Sequence, residues 1–417
     1  MKGSCFMTLP NFEESLQKYA ILIVETGINV TKGDTVVLQI AVDQADLARK
    51  ITAAAYALGA AEVQVDWQDD TVQRAFITHA TEQRLTAEPQ WQKERIEAWI
   101  AHKAKRISVM SSDPNALAGV PHDRVNSYQR TAGQIRQHLR EVTQNNDVSW
   151  TVVAAASPQW AQLVFPDKTP EAATDALWTQ IFKTTRVDQA DPVAAWQAHD
   201  AKLHEKSAWL NQQQFDALHY QAPGTDLIIG LPANHQWEAA SSENAQGETF
   251  MANMPTEEVF TAPDYRRIDG YIAATKPLSY AGTTLTDMHF TFKAGKVVAA
   301  SAATGQAILD HLLATDDGAK SLGEVALVPD PSPISQSGLI FYNTLFDENA
   351  SNHLALGAAY PFSIAGGTKM NPLELQKAGL NHSLVHVDFM VGSDKMNIDG
   401  LTKSGAVVPI FRNGDWA

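Results

Sequence analysis

The sequence predicts an α/β N-terminal domain with a mostly parallel sheet, joined to a β-rich α+β C-terminal domain. Two observations predict it. Before residue 190, short apolar strands alternate with helical segments, the rhythm of βαβ units. After residue 220, the texture changes to β-type runs separated by Gly, Pro, Asn and Asp. At 417 residues the chain exceeds one ordinary core. The division expected is an α/β domain over 1–190, a bridging helix over 191–220 and a β-rich domain over 221–417.

The helix "NFEESLQKYAILIVETG" opens the first half, and a "KGD" turn leads into the strand "TVVLQIA". An Ala-rich helix from Asp46 to Leu58 stops at "GAA", and the strand "EVQVDW" follows. "PQWQKERIEAWIAHKA" is helical before the strand "RISVMSS", and "QRTAGQIRQHLREV" is helical before "SWTVVAAAS". No Gly-rich nucleotide-binding fingerprint follows the first strand, and no P-loop occurs, so this half has no cofactor-binding signature. From Asp191 to about Leu218, apolar residues recur at three- and four-residue spacing behind Pro192, which predicts one long helix. In the second half, "TDLIIGLP", "GEVALVP" and "SLVHVDFMVG" are strand-like, and "TTLTDMHFTFKAGKVVAASA" predicts a hairpin turning at Ala294-Gly295.

Composition narrows the function. A net charge of −15 repels phosphate backbones and anionic lipid surfaces, which argues against nucleic-acid and membrane partners. The single cysteine, Cys5, excludes an internal disulfide and a multi-cysteine zinc site. No apolar run reaches the roughly 18 residues of a spanning helix, and the N-terminus lacks a signal-peptide core, so a cytoplasmic location is expected.

Several acidic and imidazole side chains sit in settings that suit metal binding. Glu257 and Glu258 lie in the apolar string "NMPTEEVFTAP"; on a regular strand only one can face a given pocket. The plain reading of that string is an edge strand with solvated glutamates. His386 and Asp388 are two apart on a β-type run and share a face, a pairing that suits a borderline divalent ion. Asp287 and His289 have the same spacing elsewhere, so spacing alone does not choose between the pairs. Glu348 and His353 are five apart in a polar stretch beside glycine, and Glu324 opens a wholly apolar run. Glu258, Glu324, Glu348, His353, His386 and Asp388 together supply four carboxylates and two imidazoles, a set that fits two divalent cations. Those cations would cancel the carboxylate charge and activate a water. The zincin motif fails because Ala208 stands where H-E-x-x-H needs histidine after His204-Glu205. Serine chemistry lacks its G-x-S-x-G elbow.

The strings "NMPTEEVFTAP", "GEVALVP", "FDENASNHLALGAAYP", "GLNHSLVHVDFMVGS" and "NIDG" resemble the signature blocks of the M29 family of metallo-aminopeptidases, the aminopeptidase T type. "VFPD", "NQQQFDALHYQAPGTDLIIGLP", "ANHQW" and "FRNGDW" extend the likeness over most of the chain. The resemblance implies that Glu258, Glu348, His353, His386 and Asp388 bind metal and that Glu324 bridges two ions. It also sets Tyr360 beside the ions and implies a homodimer. The expected function is a metal-dependent aminopeptidase that releases N-terminal residues from small peptides through a water activated by two ions, whether Zn, Co, Mn or Mg. Catalytic roles are expected for Tyr360, as a hydrogen-bond donor to the developing oxyanion, for Glu324, and for Glu257, as a supporting partner of the site or its general base. A catalytically silent metal- or peptide-binding protein and a dimetal phosphoesterase are the alternatives. The second would call for phosphate clamps, for which only Lys369 and Lys395 are near.

Overall fold

The computed structural model describes residues 9–417 except 112, 114, 281 and 282. Cys5 and its neighbours lie outside the described residues. The chain forms two units: residues 1–197 with 241–255, and residues 198–240 with 256–417. The second segment of the first unit, 241–255, is an excursion that composition did not reveal.

In the first unit four parallel strands, β1 (Thr35–Ala41), β2 (Glu62–Gln68), β3 (Lys105–Met110) and β4 (Trp150–Ala154), lie in the order β2-β1-β3-β4. This is the parallel sheet the βαβ rhythm predicts, with β1 matching "TVVLQIA" residue for residue. The helix expected over 129–142 is two helices, His122–Ile135 and Gln137–Gln144, interrupted at Arg136. One buried cation ties the sheet to the excursion. Lys105 Nζ meets Asp34 at 2.9 Å, Glu248 at 3.0 Å and the Asn29 carbonyl at 2.6 Å. A buried ammonium needs such compensation.

The bridging helix runs from Pro192 to Gln213, starting in the first unit and ending in the second. It is shorter than expected. Gln214 takes a left-handed φ of 45°, which ends the helix, and Ala217–Ala222 is a strand. Leu218 and Tyr220 are buried while His219 and Gln221 between and beside them are more accessible, so period-two burial overrides helical spacing.

The second unit contains an eight-stranded and a five-stranded sheet. The predicted hairpin is present: His289–Lys293 pairs with Lys296–Ser301, and Ala294 and Gly295 both have positive φ, as a tight two-residue turn requires. The five-stranded sheet is antiparallel throughout. Its strands, in spatial order, are His386–Met390, His353–Gly357, Leu322–Leu327, Val259–Thr261 and Glu238–Ala239. Val325, Leu327, Leu354, Leu356, Val387 and Phe389 join the hydrophobic core of this unit. Their alternation with polar and small residues defines a second face, and that face carries the site.

Candidate metal centre

Register brings the polar residues together. Ala355 pairs with Glu324 on one side and Asp388 on the other, so all three side chains share the non-core face. His353 and His386 lie two residues before Ala355 and Asp388, hence on the same face. Their cross-strand partners are small: Ala326 opposes His353, and Gly357 opposes His386. Gly357 has φ 111°, and a Cβ on it would lie 2.0 Å from the Val385 carbonyl oxygen, so glycine is required there. Ala326, Ala355 and Gly357 thus leave room for longer side chains to converge above the sheet.

Two groups of donors result. Atoms of Glu258, Glu324 and His353 lie within 4.8 Å of one another, and so do atoms of Glu324, His386 and Asp388. Glu324 belongs to both. His353 Nε2 is 3.1 Å from Glu258 and 3.5 Å from Glu324. His386 Nε2 is 3.5 Å from Glu324 and 3.6 Å from Asp388. Each ring is fixed from behind: His353 Nδ1 donates to the Ser351 carbonyl at 3.2 Å, and His386 Nδ1 donates to the Ala358 carbonyl at 2.7 Å. A carbonyl can only accept, so Nδ1 carries a proton and Nε2 is the ring atom turned toward the carboxylates, free to give its lone pair to a cation once its own proton is lost.

Electrostatics describe what this cluster is without a cation. Burial raises Glu324, although the His353 contact opposes it. Burial, then the charges of Asp388 and Glu258, push Glu348 well above the usual carboxylate range. Burial would lower His386, but the charge and contact of Asp388, the charge of Glu324 and the Ala358 carbonyl together outweigh it and lift the ring to about 10. His353 is also raised, its contacts with Glu258 and Glu324 overcoming burial. Burial alone would raise Asp388, yet the charge and contact of His386 together with the charge of His353 hold it below its ordinary value. Bare, the cluster must gather protons to offset its carboxylates, the usual response of buried like charges. Asp388 Oδ1 is buried without a hydrogen-bond partner. An orphaned carboxylate oxygen among convergent carboxylates and two Nε2 atoms fits a divalent cation, which would displace the protons and satisfy both donor types.

The remaining expected residues divide. Glu348 opens a short 3-10 turn, Glu348–Ala350, and senses Asp388, Glu258 and Glu324 electrostatically without joining either close group. Tyr360 stacks on Phe362 with ring centroids 5.2 Å apart and lies 4.9 Å from the His386 ring. Burial, then the charges of Glu324 and Asp388, raise its phenol well above its ordinary value, so it stays protonated. Glu257 and Glu258 are not solvated edge residues. Both are buried, and the strand they lead into, Val259–Thr261, has neighbours on both sides. Glu258 meets His353, whereas Glu257 lies 3.4 Å from His199, whose Nε2 is also 2.8 Å from the Thr256 carbonyl. The Glu257 backbone N–H donates to Asn349 Oδ1 at 2.8 Å. His199 and Asn349 carry no signal in the sequence: one lies on a helix read as a bridge, the other beside the louder Glu348. Asp287 and His289 are both exposed, and Asp287 has φ 48°, so that pair takes no part.

Fold and donor set together define a class: a two-unit α/β and β-rich protein with a candidate divalent-metal centre on its second unit. A family profile described as Thermophilic metalloprotease (M29) matches residues 12–416. The chain belongs to the M29 metalloprotease family and is a peptide hydrolase. It is 54% identical to aminopeptidase PepS of Streptococcus thermophilus over 98% of this chain and 100% of that one. Aminopeptidase AmpS of Bacillus subtilis (strain 168) is 50% identical over 98% of this chain and 100% of its own length. The structure of wild-type AmpT from Thermus thermophilus superposes with a TM-score of 0.92 at 39% identity, covering 97% of this chain and 100% of that chain. No helix among the described residues is long and apolar enough to cross a membrane.

Proposed function

We propose that this chain is an aminopeptidase that removes N-terminal residues from small peptides and depends on two divalent ions. The observation that carries the reading is the sharing of Glu324 between two compact donor groups, one with Glu258 and His353, the other with His386 and Asp388. A carboxylate has two oxygens and suits a bridge between neighbouring cations. Glu348 would complete the set as the fourth carboxylate. Ions held there, whether zinc, cobalt, manganese or magnesium, would polarise a peptide carbonyl and bring the pKa of a water toward neutrality. The relatives named above are aminopeptidases, which supports a substrate with a free amine.

The chain's own residues supply position and protons. The Ser351 and Ala358 carbonyls hold the two rings with Nε2 forward. Tyr360, kept neutral by burial and nearby carboxylates, is the donor proposed to stabilise the oxyanion that develops on the scissile carbonyl. Glu324 is proposed to take part in proton transfer as well as in binding. Glu257 is proposed to hold the Glu258 segment through His199 and Asn349 rather than to act as the base. The homodimer and the cytoplasmic setting belong to the same reading, and sedimentation of the purified protein tests the first.

The test is an assay with leucine-p-nitroanilide, N-acetyl-leucine-p-nitroanilide and p-nitrophenyl phosphate before and after chelation. The free amine should be cleaved, the blocked amine and the phosphate ester should not, and chelation should stop turnover. Cleavage of the acetylated substrate at the same rate would contradict an aminopeptidase, and cleavage of the phosphate ester alone would favour a phosphoesterase.

A further inference from the structure

The first unit contains a cavity lined by arginines. The cavity, of about 480 Å³, is lined by Arg106 at the start of β3, Tyr128 and Gln129 of the helix His122–Ile135, Arg136 at the interruption, and Arg140 and Thr143 of the following helix. Its lining has three guanidinium groups and no acidic residue. This contrasts with the chain's overall net charge of −15.

Arg106 and Arg140 are held by neutral oxygens rather than by carboxylates. Arg106 Nη1 donates to Thr143 Oγ1 at 2.8 Å, and that hydroxyl donates to the Leu139 carbonyl at 2.8 Å, so a neutral oxygen fixes the fork in place. Arg140 Nη2 reaches the Gly133 carbonyl at 3.3 Å. Among the described residues none of the three makes an ion pair with Asp or Glu. Arg136 and Arg140 are four apart, a like-charge spacing that works against a helical turn unless an anion intervenes. Arg106 feels the same strain: burial, then the Arg136 charge, lowers its pKa to about 10. Tyr128 adds a polar tip and an apolar ring. Its hydroxyl accepts from Gln73 at 2.9 Å, which leaves its own proton free for a ligand.

We propose that this cavity binds a small phosphate-bearing molecule, with Arg106, Arg136 and Arg140 clamping the phosphate and Tyr128 beside its organic part. Guanidinium forks match the oxygens of a phosphate in pairs, and three of them converge on one cavity. The volume exceeds that of the bare anion and falls in the range of sites for small organic ligands. All lining residues belong to the first unit, so the site is separate from the metal centre. It gives the α/β unit a binding role of its own, independent of the peptidase reading.

Calorimetric titration of the full-length, metal-loaded protein with inorganic phosphate tests this, with succinate as the carboxylate control. One saturable phosphate site is expected, with a raised Tm and an affinity that falls as salt rises. The variant Arg136→Gln/Arg140→Gln should bind phosphate at least about tenfold more weakly. Both arginines are exposed, so the variant should keep the wild-type Tm and peptide hydrolysis; if it does not fold, Arg140→Gln alone carries the same comparison. Arg49→Gln, which removes an exposed arginine paired with Asp46, should bind phosphate as the wild type does. Absence of saturable binding, or binding unchanged in the arginine variants, would overturn the site. Binding that disappears on chelation and survives in those variants would assign the phosphate to the metal centre instead. Succinate binding as tightly as phosphate would overturn the phosphate assignment.

Discussion

Lys105 in the first unit and Glu324 in the second are both buried charges on sheet strands, yet their surroundings differ in one respect. Lys105 is answered by the protein itself, through Asp34, Glu248 and the Asn29 carbonyl. Glu324 faces Glu258, Asp388 and the Nε2 atoms of two imidazoles, and Asp388 Oδ1 has no hydrogen-bond partner. A charge that the fold neutralises is a structural device, whereas a cluster that the fold leaves short of positive charge calls for something from outside. The arginine-lined cavity is the opposite case, with positive charge left short of an anion.

Substitutions can break this contrast, and the largest effect should come from its centre. Glu324→Gln removes the carboxylate common to both donor groups and should lower both metal content and turnover, the latter by about a thousandfold or more. Full activity in this variant would take Glu324 out of the site. Lys105→Met strands two carboxylates and should cost roughly 3–5 kcal/mol of stability, read as a lower denaturant midpoint, with the metal content of the folded fraction unchanged. A midpoint within error of the wild type would show that the cluster is not the structural tie described. Tyr360→Phe should retain metal and lose about a hundredfold in kcat, the scale of one oxyanion donor; an unchanged kcat would leave Tyr360 with only its stacking on Phe362. The smallest effect is expected for His199→Ala, at about tenfold in metal affinity, since it touches the Glu257 side of the segment. Metal affinity equal to the wild type would reduce His199 to helix packing.

Much of this was legible in the sequence wherever a local period decided the structure. β1, the Ala294-Gly295 turn and the shared face of His386 and Asp388 follow from two-residue alternation and turn chemistry. Of the side chains the family resemblance names, register puts Glu324, His353, His386 and Asp388 on one face of the sheet. Pairing between distant strands was not legible. Nothing in "NHLALGAAYP" announces that Ala355 sits between Glu324 and Asp388, or that its small size lets them meet. The end of the bridging helix is not legible because helical spacing continues past Gln213, while a left-handed Gln214 and pairing of Ala217–Ala222 with two other strands fix the outcome. His199 gives no local signal because its partner, Glu257, is 58 residues away. The arginine cavity was hidden for the same reason, since Arg106 joins Arg136 and Arg140 only after β3 and the helices pack.

The central claim is that the second unit holds cations in two places that share Glu324. Anomalous diffraction from crystals grown with zinc tests it most directly. The account predicts two peaks, one among Glu258, Glu324 and His353 and the other among Glu324, His386 and Asp388. Density free of anomalous signal at both places, in crystals of protein that still hydrolyses leucine-p-nitroanilide, would contradict it.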